Sequence, residues 1–295
     1  MSRKIHAYCN LDGGSQFGIV GGGQVIAKRG LEDTSLCFFG LVRAVVGLMC
    51  IVSFGVLTTG FDSPPIELVP IAAAGGVLDL LIGTLFSMMA VKRGLAHEAV
   101  ALANTAPLWG VVAAVIFLGE PAKAASFLAA SLVATGAYFV IGKRQQSDAA
   151  RSHLGVAMAL MAGIVWGIAE VVPTKYCLNR GMCPHTYQLI AVASSAVGWG
   201  GCNLLRAPQY KPLSWSRRGV QIAGITGFTN LFLGWSLWLG AIGRAPAYLI
   251  APVRGLVVLF AFLFSAAIFK ERPSRRAVVG ALLIITGVLF VSLVS

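Results

Sequence analysis

Four charged side chains fall where charge is expensive. Arg43, Asp79, Glu170 and Arg254 each interrupt a long apolar run of the 295-residue chain. On insertion scales a charge at that depth costs about 2.5–3.5 kcal/mol, so it marks a functional position unless a partner neutralises it. Two are basic and two acidic, so the set can balance itself. Asp79 is read either as a carboxylate that exchanges a proton, or as a structural group bonded to a neighbouring helix or to Arg43. Glu170 follows Trp166 by four residues, which on a helix puts both on one face. It either lines a cavity against a cationic group such as an amine, or pairs with Arg254. Arg254 comes two residues after Pro252, whose missing N–H kinks a helix and frees carbonyls to line a cavity. Its guanidinium suits a carboxylate. Asn104, Trp166, Asn230 and Trp235 complete the set of candidate binding residues, and Asp79 and Glu170 are the candidates for proton coupling. His6, His97, His153 and His185 have no partners at metal-binding spacing, and no two of the six cysteines form a Cys-x-x-Cys pair. No metal or cofactor is expected. Cys37, Cys50 and Cys202 read as small core residues, while Cys177 and Cys183 flank one loop and are close enough to pair.

The elements that hold these residues follow from composition. Hydrophobic residues make up 57% of the chain and charged residues 12%. A soluble domain carries about twice that charge, and a disordered chain is poor in apolar residues, so both classes are excluded. The net charge of +12 sits mostly in short gaps between apolar runs. That is the pattern of membrane topology and not of nucleic-acid binding. A spanning helix needs about 20 apolar residues. The runs predict spans over Thr34–Thr59, Ile66–Val91, His97–Leu118, Lys123–Gly142, Leu154–Cys177, Pro184–Leu205, Gly219–Gly243, Ala245–Phe269 and Arg275–Val294. A tenth, Gln16–Ala27, is short and glycine-rich. The fold class is an all-α integral membrane bundle of ten helices, the first atypical.

The chain repeats itself. A shift of 151 residues lays Gly47 on Gly198, Gly76 on Gly227, Gly83 on Gly234, Arg93 on Arg244, Glu120 on Glu271 and Thr135-Gly136 on Thr286-Gly287. Asp79 lands on Asn230, so a polar group recurs at one depth in both halves, as a shared central cavity would need. Residues 1–142 form the first repeat, 143–153 a linker and 154–295 the second. Five spans per repeat force the second copy to cross the membrane in the opposite sense. That inverted plan belongs to secondary transporters, whose solute sites lie near the midplane between halves. Loops on one side hold 15 Lys and Arg against 6 on the other. The positive-inside rule puts the richer side in the cytoplasm and the C-terminus outside. Glu120 and Glu271 each precede a helix and read as structural carboxylates at its positive end.

Certain motifs carry a resemblance. Ala106-Pro107, then Phe117-Leu118-Gly119-Glu120-Pro121 and Thr135-Gly136-Ala137-Tyr138, resemble the EamA-like family of the drug/metabolite transporter superfamily. Phe269-Lys270-Glu271-Arg272-Pro273 with Thr286-Gly287-Val288 is similar to a second copy, and Trp166-Gly167 followed by Lys175 resembles the family's opening helix. The resemblance covers residues 18–294. It implies ten helices in two five-helix repeats, transport of small metabolites, and both termini in the cytoplasm. The first helix departs from the pattern in lacking an apolar start and a Trp-Gly.

The resulting expectation is a secondary transporter in the cell membrane, not an enzyme. It would move a small polar metabolite, such as an exported amino acid or related solute, by alternating access with proton coupling. An integral-membrane enzyme would need clustered His, Asp or Cys near one face, and a scaffold would need a recognition domain. The expected partners are a small-molecule solute and membrane lipids, with no nucleic acid. The GxxxG at Gly18–Gly22 suits close helix contact and so allows a homodimer.

Overall fold

The computed structural model describes residues 34–58, 60–92, 103–121, 123–140, 153–205, 215–260 and 274–294, with Ala27, Gly30, Leu31 and Leu263 besides. The predicted helix at Gln16–Ala27, the linker and the Phe269–Pro273 motif lie outside these residues, apart from Ala27 and His153.

Nine helices are described: α1 (Leu36–Leu57), α2 (Ile66–Ala90), α3 (Ala106–Leu118), α4 (Ala124–Val140), α5 (His153–Asn179), α6 (Pro184–Leu204), α7 (Arg217–Arg244), α8 (Ala247–Phe260) and α9 (Arg275–Val294). Among the described residues α1, α2, α5 and α7 are each long and apolar enough to cross a membrane. Local chemistry sets the ends. Pro184 and Pro107 open α6 and α3, where a missing N–H costs nothing. Ser216 Oγ caps α7 by accepting from the Gly219 amide at 2.9 Å. Gly119, at φ 66°, stops α3 in the left-handed conformation that glycine adopts freely. Large apolar side chains such as Met49, Val56, Ile116, Val197 and Leu289 face outward, as lipid contact requires.

The two halves run in opposite senses. α4 and α9 are repeat mates and pack face to face. A Cβ added to Gly136 would lie 2.6 Å from the Gly280 carbonyl oxygen, and one on Gly287 would lie 2.8 Å from that of Ala129. Gly280 is the mate of Ala129, so the contacts are reciprocal and the helices antiparallel. α1 and α6 are mates too. The start of α1 lies against the end of α6, where Asn203 Nδ2 donates to the Cys37 carbonyl at 2.9 Å and Gly40 abuts Trp199. This antiparallel packing joins Cys37 and Cys202 in a disulfide, with Cα atoms 6.0 Å apart. Sequence alone reads both as small core residues because each sits in an apolar run, and the bridge spans 165 positions. Cys177 and Cys183, for which pairing was open, are free thiols on either side of a turn closed by its own backbone bonds.

Both α2 and α7 widen at their centres into π-helical segments, Val77–Gly83 and Gly227–Gly234. The 151-residue offset lays one on the other. A π segment displaces carbonyls from the regular ladder, and imported side chains satisfy them. Trp166 Nε1 donates to the Asp79 carbonyl and Trp199 Nε1 to that of Leu80, both at 3.2 Å. Gln188 Nε2 donates to Leu231 and Phe232 at 2.7 and 3.1 Å, and its Oε1 accepts from Ser236. Leu80 and Leu231 are mates, so α6 pins both π segments at the same register. Gln188 is fully buried. Gln188→Leu is therefore expected to lower unfolding stability in micelles by about 1–3 kcal/mol, the cost of stranded buried carbonyls. A thermal melt unchanged from the parent would show that the carbonyls do not depend on the amide.

Candidate functional site

The four charges flagged by sequence gather at the seam between the halves. Arg254 is presented by a break in α8. Pro252 cannot donate, and the amides of Arg254 and Gly255 bond back only three residues, to Ala251 and Pro252 at 3.3 and 3.1 Å. The helix tightens there and turns the guanidinium toward α5. Arg254 Nη2 pairs with Glu170 Oε1, and the side chains are 22% and 12% exposed. The same guanidinium lies 5.6 Å from the centre of the Trp166 ring, a cation–π distance. Asp79, 3% exposed within the first π segment, lies in electrostatic reach of both Arg254 and Arg43. Glu170 feels Asp79 as well. Arg43 comes from α1, and its Nε is buried without a hydrogen-bond partner. The cluster is formally neutral and holds an unspent donor. Buried ion pairs stabilise a fold little more than apolar packing of equal volume would. Stability alone does not call for four charges here.

Trp166 organises the cluster. Its edge holds the Asp79 carbonyl, its face meets Arg254, and it packs on Gly83, where a Cβ would come within 2.5 Å of the indole. Asn104 lies in the turn leading into α3, two residues before Ala106, whose carbonyl abuts Gly167. Trp235 is 8% exposed, 6.0 Å from the Tyr187 ring, and its Nε1 is unpartnered, as is that of Trp238. Asn230 occupies the second π segment, half-buried, and accepts from its neighbour Thr229 at 3.2 Å. It shares the place of Asp79 in the fold.

Three residues gain roles that the sequence did not assign. Tyr187 is fully buried, accepts from Thr174 Oγ1 at 3.0 Å, and senses Asp79 and Glu170. A tyrosine inside an apolar span was its only signal. Lys175, 7% exposed, donates to the carbonyls of Ile242 and Ala245 at 2.6 and 2.8 Å. Glu120 binds the start of a helix other than the one it precedes. Each of its carboxylate oxygens accepts a backbone amide of α8, from Ala247 and Tyr248, at 2.9 Å.

A cavity of about 390 Å³ opens at one end of the bundle, lined by Glu120, Pro121, Lys175, Arg244, Pro246 and Tyr248 among others. Among the described residues no three His, Cys, Asp or Glu approach closely enough to hold a metal.

Comparison with known proteins places this architecture. The EamA-like transporter family matches residues 18–142 and again 153–293. The chain belongs to the EamA-like transporter family. One solved crystal structure superposes with a TM-score of 0.78 over 96% of each chain at 15% identity, a likeness of fold alone. No curated protein sequence matches. As an EamA-like chain it is a multi-pass membrane protein of a transporter family. Its two matched segments contribute equally to the seam: Arg43 and Asp79 come from the first, Glu170 and Arg254 from the second.

Proposed function

We propose that this EamA-like protein carries a small polar solute with both an amine and a carboxylate, an amino acid or close relative, outward across the cell membrane by alternating access. The carrying observation is the neutral four-charge cluster at the seam, drawn equally from two antiparallel repeats. An inverted pair that rocks about its seam exposes what lies there to each side in turn. A solute carboxylate replaces Glu170 on Arg254, and Arg43 offers a second, uncommitted donor. The solute amine then faces the released Glu170 and Asp79. Each added charge meets its opposite, so loading leaves the seam neutral.

Proton coupling follows from the same exchange. An amine on Asp79 or Glu170 excludes a proton there, so once the solute has left a proton takes the amine's place on that carboxylate for the return step. The solute leaves as the proton enters. The test is full-length protein in proteoliposomes, offered a panel of labelled amino acids with and without an imposed proton gradient. Asp79→Asn is expected to lose gradient-driven accumulation while keeping solute-for-solute exchange. Accumulation that still tracks the gradient in that variant would exclude Asp79 as the coupling group. A panel with no flux for any amine-bearing carboxylate would reject the solute class.

A further inference from the structure

The joint between α7 and α8 is short, Ala245-Pro246, and two opposite charges from elsewhere grip it. On one side Lys175 of α5 takes the carbonyls of Ile242 and Ala245. On the other, Glu120 takes the first two amides of α8. Each charge matches the helix end it meets, a cation at the carbonyl end and a carboxylate at the amide end. Lys175 and Glu120 also sense one another. Lys123, three residues after Glu120, places its ammonium 5.3 Å from the Tyr248 ring. The cavity described above is lined by both charges and by the joint, so solvent reaches this grip from the bundle end.

Two features make it more than a loop anchor. Glu120 belongs to the first repeat and its partners to the second, so the carboxylate bonds bridge the halves. α8 runs from Ala247 to Arg254 in about two turns, and Arg254 meets Glu170, which lies five residues before Lys175 on α5. α5 thus meets α8 at the cluster, and at the bundle end it holds the joint that leads into α8.

We propose that Glu120 and Lys175 form the gate of this face, with Glu120 the positioning residue that holds α8 so that Arg254 reaches Glu170. The proposal rests on the alternating-access reading. For the halves to part at this face, the two Glu120 bonds must break, since they bridge the halves. Once they break, α8 is free to swing and carry Arg254 off Glu170. The carboxylate thereby links opening at the surface to release of the seam.

The test needs no solute. Ala245→Cys places a thiol in the joint, where the native residue is 7% exposed. N-Ethylmaleimide labelling of the full-length protein in liposomes is read peptide by peptide, so native cysteines do not interfere. Adding Glu120→Gln, which cannot accept both amides, is expected to speed labelling about tenfold. Tenfold corresponds to about 1.4 kcal/mol, less than two charge-assisted hydrogen bonds contribute. Thr34→Cys, 5% exposed at the start of α1 and at the other end of the bundle, is expected to label no faster. Unchanged labelling at Ala245→Cys, or equal acceleration at both positions, would overturn the gate, the second outcome indicating general loosening. If Glu120→Gln does not fold, Lys175→Gln bears the same expectations and the same refutations. A labelling shift without amino-acid flux would keep the gate and discard the proposed solute.

Discussion

Arg254→Ala is expected to abolish flux in proteoliposomes, by about a hundredfold, the equivalent of about 2.7 kcal/mol. Arg254 is the only cation of the cluster paired directly with a carboxylate in the described structure. Without it Glu170 is left charged in a nearly dry site, and Asp79 keeps only Arg43. Breaking one side of a buried pair costs about 3–5 kcal/mol, whereas replacing both partners together is often neutral. Thermal unfolding should therefore fall sharply for Arg254→Ala and recover in the double variant Glu170→Gln with Arg254→Gln, which stays inactive. Restored stability without restored flux separates the two roles of the guanidinium. Parental flux in Arg254→Ala would remove the cluster from the solute path.

The second large effect is steric. A Cβ on Gly76 would stand 2.1 Å from the Ala191 carbonyl oxygen, and one on its mate Gly227 would stand 2.4 Å from that of Arg43. In both cases the obstacle is backbone, on α6 and on α1, and no rotamer change relieves it. Overpacking costs about 1–3 kcal/mol where side chains can shift, and more where they cannot. Gly76→Ala and Gly227→Ala are each expected to destabilise the protein by about 3 kcal/mol or more. Gly200→Ala, with open space around its Cβ, serves as the control. Thermal melts of the three in micelles decide it, and equal midpoints would contradict the close packing of the π segments on α1 and α6.

Much of this is legible in the sequence. Charges inside apolar runs are rare enough that Arg43, Asp79, Glu170 and Arg254 stood out one by one, and the pairing of Glu170 with Arg254 was among the readings offered. The inverted repeat was legible because loop charges and glycines kept one offset. Other features leave no local trace. Nothing in Val77–Gly83 distinguishes a π segment from an α-helix, since the difference lies in which distant donors reach its carbonyls. Glu120 was assigned to the nearest helix end, but its partners are 127 and 128 residues away. The Cys37–Cys202 bridge needed the antiparallel contact of α1 with α6. The cavity at the bundle end leaves no mark in the sequence either, since Glu120, Lys175 and Arg244 meet there only through the fold.

The duplication is also unequal in a way that bears on direction. α6 lends donors to both widened segments, through Trp199 and Gln188, whereas α1, its counterpart, lends none among the described residues. A carrier built from two interchangeable parts would rest as often with one door ajar as with the other. Here the tethering is lopsided, so the empty protein should favour one resting posture. Half-saturation should then differ between the two sides of the membrane, and maximal rates should differ in the same ratio, as microscopic reversibility demands of any passive shuttle.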